Sequence, residues 1–198
     1  MIEIKPAREL GENAKKTLSE FFVDGFHTHL SIFAKDPKKL AAALEHMFVP
    51  DVFHVGFVDG EPAGMIACTN GLTSSVNHNR KELIRHLGWI KGLFADYMFK
   101  RQFQQPPVEI GERIASVEFV ATASRHRGKG VATAIMHHLL SLPEYDEYVL
   151  EVADTNTSAV KLYEKLGFRE FKRIKHKYAK YSGINYILYM KYIKSPNG

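Results

Sequence analysis

The sequence predicts one α/β domain, a central sheet with helices laid against it. Three stretches carry that prediction. From Val117 to Ala132 the chain reads V-E-F-V-A-T-A-S-R-H-R-G-K-G-V-A, an apolar β-branched run, a basic glycine-bearing turn, and the start of a segment of helical composition. Asp51 to Val58 and Ala63 to Thr69 are two strand-like runs joined by Asp59-Gly60-Glu61-Pro62, a hairpin signal. Glu147 to Val152, Thr157 to Leu166 and Phe168 to Ile174 read strand, helix, strand. The 198 residues suit a single domain over residues 1–198 with room for a substantial core.

In chain order, Arg8 to Asp24 is an amphipathic helix with Leu10, Ala14, Leu18, Phe21 and Phe22 along one stripe, stopping near Gly25. Asp36-Pro37 is an N-cap followed by proline at the first helical position, and the helix it opens closes by Pro50. After the hairpin, Asn70 to Asn79 is a polar loop. Arg80 to Gln104 is one or two helices rich in aromatics, where Gly88 and Gly92 allow a kink or close packing, and Pro106-Pro107 ends the segment. Glu112 to Thr122 is the central strand and Gly130 to Leu142 the helix after the basic turn. A last strand runs from Ile184 to Tyr192, with Lys175 to Gly183 a basic loop before it.

Composition narrows the function. The formal charge of +5 favours anionic ligands without by itself indicating nucleic acid, and no segment approaches a membrane span. The N-terminus lacks the apolar core of a signal peptide, so the expected location is intracellular and cytoplasmic. A single cysteine, Cys68, excludes an internal disulfide framework and a cysteine-based zinc site, and the ten histidines form no H-E-x-x-H set, so no metal is expected.

The basic turn has the chemistry of a phosphate seat. Helix N-termini present N–H groups without partners and partial positive charge, glycines let a ligand approach the backbone, and Arg125, Arg127 and Lys129 supply cations. It is not a P-loop, because Val131 and Ala132 follow Gly130. Nor is it the dinucleotide fingerprint, because position 133 is Thr133. Arg125, Gly128 and Gly130 fit R-x-x-G-x-G, which in this setting resembles the acetyl-CoA pyrophosphate loop of the GNAT superfamily of N-acetyltransferases. A second motif strengthens the likeness. Asn156, Ala159, Tyr163, Gly167 and Phe168 match N-x-x-A-x-x-x-Y-x-x-x-G-F of the same superfamily, in the same order along the chain.

The resemblance covers about the C-terminal half, Glu112 to Tyr192. It implies a mixed, mostly antiparallel sheet whose fourth and fifth strands, here Glu112–Thr122 and Glu147–Val152, splay to admit the cofactor. Against that pattern residues 71–108 are a helical insertion. By the same likeness Arg125, Arg127, Gly128, Lys129 and Gly130, with the backbone of Val131 and Ala132, hold the pyrophosphate. Val120 and Thr122 pair with the pantetheine arm, and Asn156 lies near the acyl end. Tyr163 protonates the leaving thiolate, and Glu118 is the base that takes a proton from the amine, with Glu151 and His54 as further candidates. The loop departs from the family at Thr122-Ala123-Ser124 and at Ala132, small changes that leave the backbone accessible.

The function implied is acetyl transfer from acetyl-CoA to a primary amine, on a small molecule or a peptide, by direct attack in a ternary complex. A homodimer is a further implication. The alternative is a non-catalytic acyl-CoA sensor. A third reading takes Lys172 to Lys180, basic residues interleaved with tyrosine, as a nucleic-acid contact; a solvated edge or a phosphate contact to the cofactor is preferred.

Overall fold

The computed structural model describes residues 1–103, 111–177 and 179–195. Pro106-Pro107, and with them the end of the expected insertion, lie outside the described residues. Seven strands form one sheet in the order β1-β2-β3-β4-β5-β7-β6. They are β1 (Ile2–Pro6), β2 (Phe53–Val58), β3 (Glu61–Thr69), β4 (Ile114–Thr122), β5 (Glu147–Ala153), β6 (Arg169–Lys175) and β7 (Tyr186–Ile193). Every neighbouring pair is antiparallel except β4 and β5.

Helices cover both faces, α1 (Ala14–Leu30), α2 (Pro37–Leu44), α3 (Arg80–Leu87) and α4 (Trp89–Phe103) on one, α5 (Val131–Leu140) and α6 (Thr157–Lys165) on the other. Each layer buries its own cluster. Leu18, Phe22, Leu44, Phe48, Phe53 and Leu83 fill the first; Ile66, Ile135, Leu139, Tyr148, Leu150 and Phe168 fill the second.

The hairpin of β2 and β3 turns on Asp59 and Gly60, both left-handed at φ 53° and 80°, as a tight two-residue turn requires. Asp36 caps α2 by accepting from Lys38 N at 2.9 Å. That helix gives way to a 3-10 turn at Glu45–Met47, ahead of Pro50.

Three expectations change. The sequence reading assigned no element to the N-terminus, yet β1 pairs with β2 along its length, Ile2 opposite Val58 and Pro6 opposite His54. The apolar–polar alternation of Ile2-Glu3-Ile4-Lys5 was the available signal, short because an edge strand needs only one face buried. Helix α1 does not stop at Gly25 but runs to Leu30, distorting at Phe26 (φ −123°, ψ 15°). Gly25 lies inside it next to β4, where a Cβ would make ordinary contact with that of Ala121 at 3.5 Å. Residues Arg8 to Asn13, expected as its first turns, form a 3-10 segment instead. Finally, Lys175 to Gly183 is not all loop, since Ala179–Ser182 makes one short helical turn, α7.

Gly88 and Gly92 serve different ends. Gly88 is left-handed (φ 83°) and breaks the aromatic segment into α3 and α4. Gly92 lets the two helices touch, because a Cβ there would lie 2.5 Å from Ile84 Cα.

Candidate active site

The parallel pairing of β4 with β5 is short. It runs from Ile114↔Glu147 to Ser116↔Val149 and goes no further, although β4 continues to Thr122 and β5 to Ala153. Beyond Ser116 the strands part, as expected for the fourth and fifth strands. Val120 and Thr122 both lie in the parted length.

A bulge marks the point of parting. Ala67 stands opposite Glu118 and Met65 opposite Ala121, so Phe119 and Val120 together face the single residue Ile66. Phe119 is left-handed at φ 53°, which costs a non-glycine residue about 1–2 kcal/mol. Its ring is held by Phe22, Phe48 and Phe53 at 5.6, 6.2 and 5.9 Å, contacts that offset the strain. The bulge also changes which way odd-numbered residues face: Val117 packs in the α5 layer, Phe119 and Ala121 in the α1 layer.

The basic turn follows β4 directly and ends in α5. Gly128 and Gly130 are left-handed at φ 75° and 80°, with open space where a Cβ would be. Gly130 is the N-cap of α5 and makes no side-chain cap, so the N–H groups of the first turn are not taken by a capping side chain. Two strand glycines set the helix there. Added Cβ atoms at Gly56 and Gly64 would meet Val131 Cγ1 at 3.1 and 3.0 Å. Small size at both positions lets the first turn of α5 sit directly on the sheet.

Residues that sequence reasoning missed fix the turn. Asp24 on α1 accepts from Ser124 N and Ser124 Oγ, both at 2.6 Å. His126 is buried beneath the turn and accepts from Arg125 Nε at 3.1 Å. Arg125 also reaches Glu61 on β3 at 3.2 Å, and Arg127 Nε donates to Thr122 O at 3.4 Å. Arg125, Arg127, Gly128, Lys129 and Gly130 are all exposed, so the cations ring a solvent-facing backbone.

Tyr163 lies on α6, 5% exposed, in the same cluster as Leu150 and Val152 of β5, its ring 6.0 Å from Phe168. Burial pushes its phenol up to about 12, so at neutral pH it keeps its proton. Asn156 accepts from Ala159 N at 3.3 Å and so caps α6. The second motif therefore positions its own helix as well as its tyrosine.

Glu118 is half-buried on the α1 face of β4, and its two oxygens accept from Ser75 Oγ and Ser116 Oγ. Glu151 lies across the gap on β5, directly opposite Tyr189 of β7. Glu151 is exposed to solvent in the gap, and its carboxyl is held above the usual range, first by desolvation from the protein packed around it and then by the charge of Glu118, while the Tyr189 hydroxyl acts the other way by hydrogen bonding to it. The structure thus brings two carboxylates to one gap. Tyr189 had no sequence signal, since only strand register makes it the partner of Glu151. His54 does not join them. It packs on His138 of α5, ring centroids 5.2 Å apart, on the other face of the sheet, and its pKa is lowered to about 4, chiefly by desolvation. Cys68 is also inert, its thiol pushed up to about 12 by burial.

The family model described as "Acetyltransferase (GNAT) family" matches residues 18–168. The chain belongs to this family. Members of the family use acetyl-CoA; an uncapped helix N-terminus beside parted strands is a seat that fits such a group. An N-alpha-acetyltransferase of Sulfurisphaera tokodaii is 36% identical to this chain over 64 residues, 30% of this chain and 38% of that protein's length. Solved structures share the fold. PH1933 from Pyrococcus horikoshii OT3 has a TM-score of 0.59 at 19% identity, covering 98% of this chain and 99% of the other. The ribosomal-protein-S18-alanine N-acetyltransferase of Escherichia coli has a TM-score of 0.58 at 16% identity, covering 100% and 97%.

Proposed function

We propose that this acetyltransferase moves an acetyl group from acetyl-CoA to a primary amine, and that the acceptor is the N-terminus of a peptide or protein. The observation that carries the reading is the early end of the β4–β5 ladder beside the uncapped N-terminus of α5. The peptide acceptor is favoured by the N-alpha-acetyltransferase relative.

When bound, acetyl-CoA supplies the activated acetyl group as a thioester. Its pyrophosphate would be held by the backbone of Gly128, Gly130, Val131 and Ala132, with Arg125, Arg127 and Lys129 around it. Val120 and Thr122 offer main-chain groups along the parted edge, as an added strand would use them. Asn156 stands at the start of α6, and Tyr163, which keeps its proton at neutral pH, would neutralise charge on a departing thiol. The amine arrives as an ammonium and must lose a proton. Glu118 and Glu151 flank its path. Glu118 or Glu151 would accept it; the affinity of Glu151 for a proton is raised first by desolvation and then by the charge of Glu118. Amine and acetyl group are thus held together, and no covalent enzyme intermediate is required. The cytoplasmic location expected from the sequence goes with this role.

A thiol-release assay with acetyl-CoA across N-terminal peptides, lysine peptides, polyamines and aminoglycosides tests the proposal. Turnover confined to free N-termini supports it, and turnover on small amines alone refutes the peptide acceptor. CoA binding with no turnover on any amine would favour the sensor.

A further inference from the structure

Helix α4 is apolar on two opposite sides; among the described residues one is packed on the core and the other is exposed, apart from the contact of Phe94 with Phe33, ring centroids 5.7 Å apart. Gly92, Ala95 and Phe99 face the core, against Ile84 and Phe33. At about 100° per residue, Ile90, Phe94, Tyr97 and Met98 lie together on the opposite side within an arc of about 100°. All four are exposed, Ile90 by 78% and Tyr97 by 58%, and Trp89 at the start of the helix is exposed by 71%. A helix apolar all round belongs in an interior, so one left half outside implies something that covers it.

Charge says what. Six basic residues fall between Arg80 and Phe103 against Glu82 and Asp96 alone, a net +4 in a chain whose total is +5. Asp96 is itself buried, bound by Arg80 at 2.9 Å and Lys100 at 3.2 Å, so it offers little negative charge outward. Size argues against a second copy as the occupant. The exposed parts of these five side chains amount to on the order of 500 Å², less than the roughly 800 Å² each partner gives to a stable protein interface. An exposed tryptophan among aromatics and aliphatics, on a helix pair bearing most of the net positive charge, fits the interface of an anionic bilayer.

We propose that α3 and α4 form a docking hairpin for an anionic lipid surface, with the aromatic side of α4 entering the headgroup region and the basic residues meeting lipid phosphates. The hairpin is a firm unit, because Gly92 lets the two helices close on one another. This is association with a surface; among the described residues no helix is long and apolar enough to cross a membrane.

Trp89 is the only tryptophan in the chain, so its fluorescence reads the patch alone. The full-length protein is titrated with vesicles of phosphatidylglycerol and phosphatidylcholine in equal parts, and with vesicles of phosphatidylcholine only. The expected result is a blue shift of about 10 nm or more with the anionic vesicles, reversed by 0.5 M NaCl, where charges are screened within a few ångströms, and little shift with the neutral ones. Lys91→Glu reverses one charge and is expected to weaken partitioning about 30-fold, two charge units at about 1 kcal/mol each. Ile90→Ser is expected to weaken partitioning while leaving the circular dichroism spectrum unchanged, since Ile90 touches solvent. No shift with either vesicle overturns the proposal, as does equal binding to both. A concentration-dependent dimer in light scattering that blue-shifts Trp89 without lipid also overturns it and assigns the patch to a second copy.

Discussion

Removing one oxygen tests the acid role of Tyr163. Tyr163→Phe keeps the ring that meets Phe168 at 6.0 Å and deletes the hydroxyl. Burial holds that hydroxyl near a pKa of 12, so at pH 8 only about one molecule in ten thousand is ionised, and it is a proton donor across the whole working range. An ordinary thiol titrates near about 8.5, so full transfer from this phenol to a free thiolate runs uphill by about three to four units. Such an acid acts by partial transfer as the thiol departs, which places its contribution near the lower end of the usual range of about 10²–10⁴. The expected loss in kcat is therefore about 100-fold, or about 2.7 kcal/mol. CoA affinity, measured by calorimetric titration, should change less than about threefold, because the proposed pyrophosphate seat is at the start of α5 and not on α6. Deleting one hydroxyl should lower stability by about 1 kcal/mol or less, a few degrees in Tm. For the wild type the raised pKa predicts no alkaline loss of turnover from this group below about pH 11. A kcat within about threefold of wild type would refute the role, and so would a fall in kcat matched by an equal fall in CoA affinity.

Four further outcomes are expected. Glu151→Gln should abolish the acid limb of the kcat/KM profile, which in the wild type lies above the range of an ordinary carboxyl because the folded state holds the proton more tightly. For the same reason the wild type should lose stability relative to Glu151→Gln as pH rises through that range, read as the difference in urea midpoints between pH 4 and pH 8. His54 has the opposite sign. Its folded pKa of about 4 lies below the ordinary 6.5, so its contribution is in place above pH 6.5 and is lost as pH falls toward 4. Between pH 7 and 4.5 the wild type should lose about 2 kcal/mol more than His54→Phe in urea unfolding, a figure discounted for partial exposure; equal losses would be contrary. Asp24→Ala frees Ser124 from α1 and should raise the KM for acetyl-CoA about three- to tenfold, roughly 1 kcal/mol, with kcat within twofold; an unchanged KM would show that the turn holds its shape without Asp24.

Much of the fold was legible because its signals are local. Asp59-Gly60 encodes a turn that needs two left-handed residues, Asp36-Pro37 a helix start, and Gly88 a kink or close packing that the structure resolves into a break between two helices, and each lies within a few residues of what it controls. The parted strands were reached by another route, from the two glycine and tyrosine motifs and the family they resemble. Nothing in the composition of β4 and β5 says where their ladder stops. Sequence reasoning failed where the deciding partner is remote. Gly25 reads as a helix end, yet α1 runs through it to Leu30, and β1 reads as a tail until β2 pairs with it.

The chain by itself determined the kinds of local structure, the order of the elements, and a basic glycine turn opening a helix. Those follow from backbone torsions, side-chain periodicity and the unpaired amides of a helix start, which need no distant neighbour. Tertiary structure alone decided which charges meet. Desolvation raises Glu151 and the Glu118 charge adds to it because two strands that diverge still share a face, Tyr189 reaches Glu151 through antiparallel register, and Asp24 holds Ser124 across most of the chain's middle. Electrostatic energy depends on separation in space, and linear order fixes that separation only after the sheet has closed.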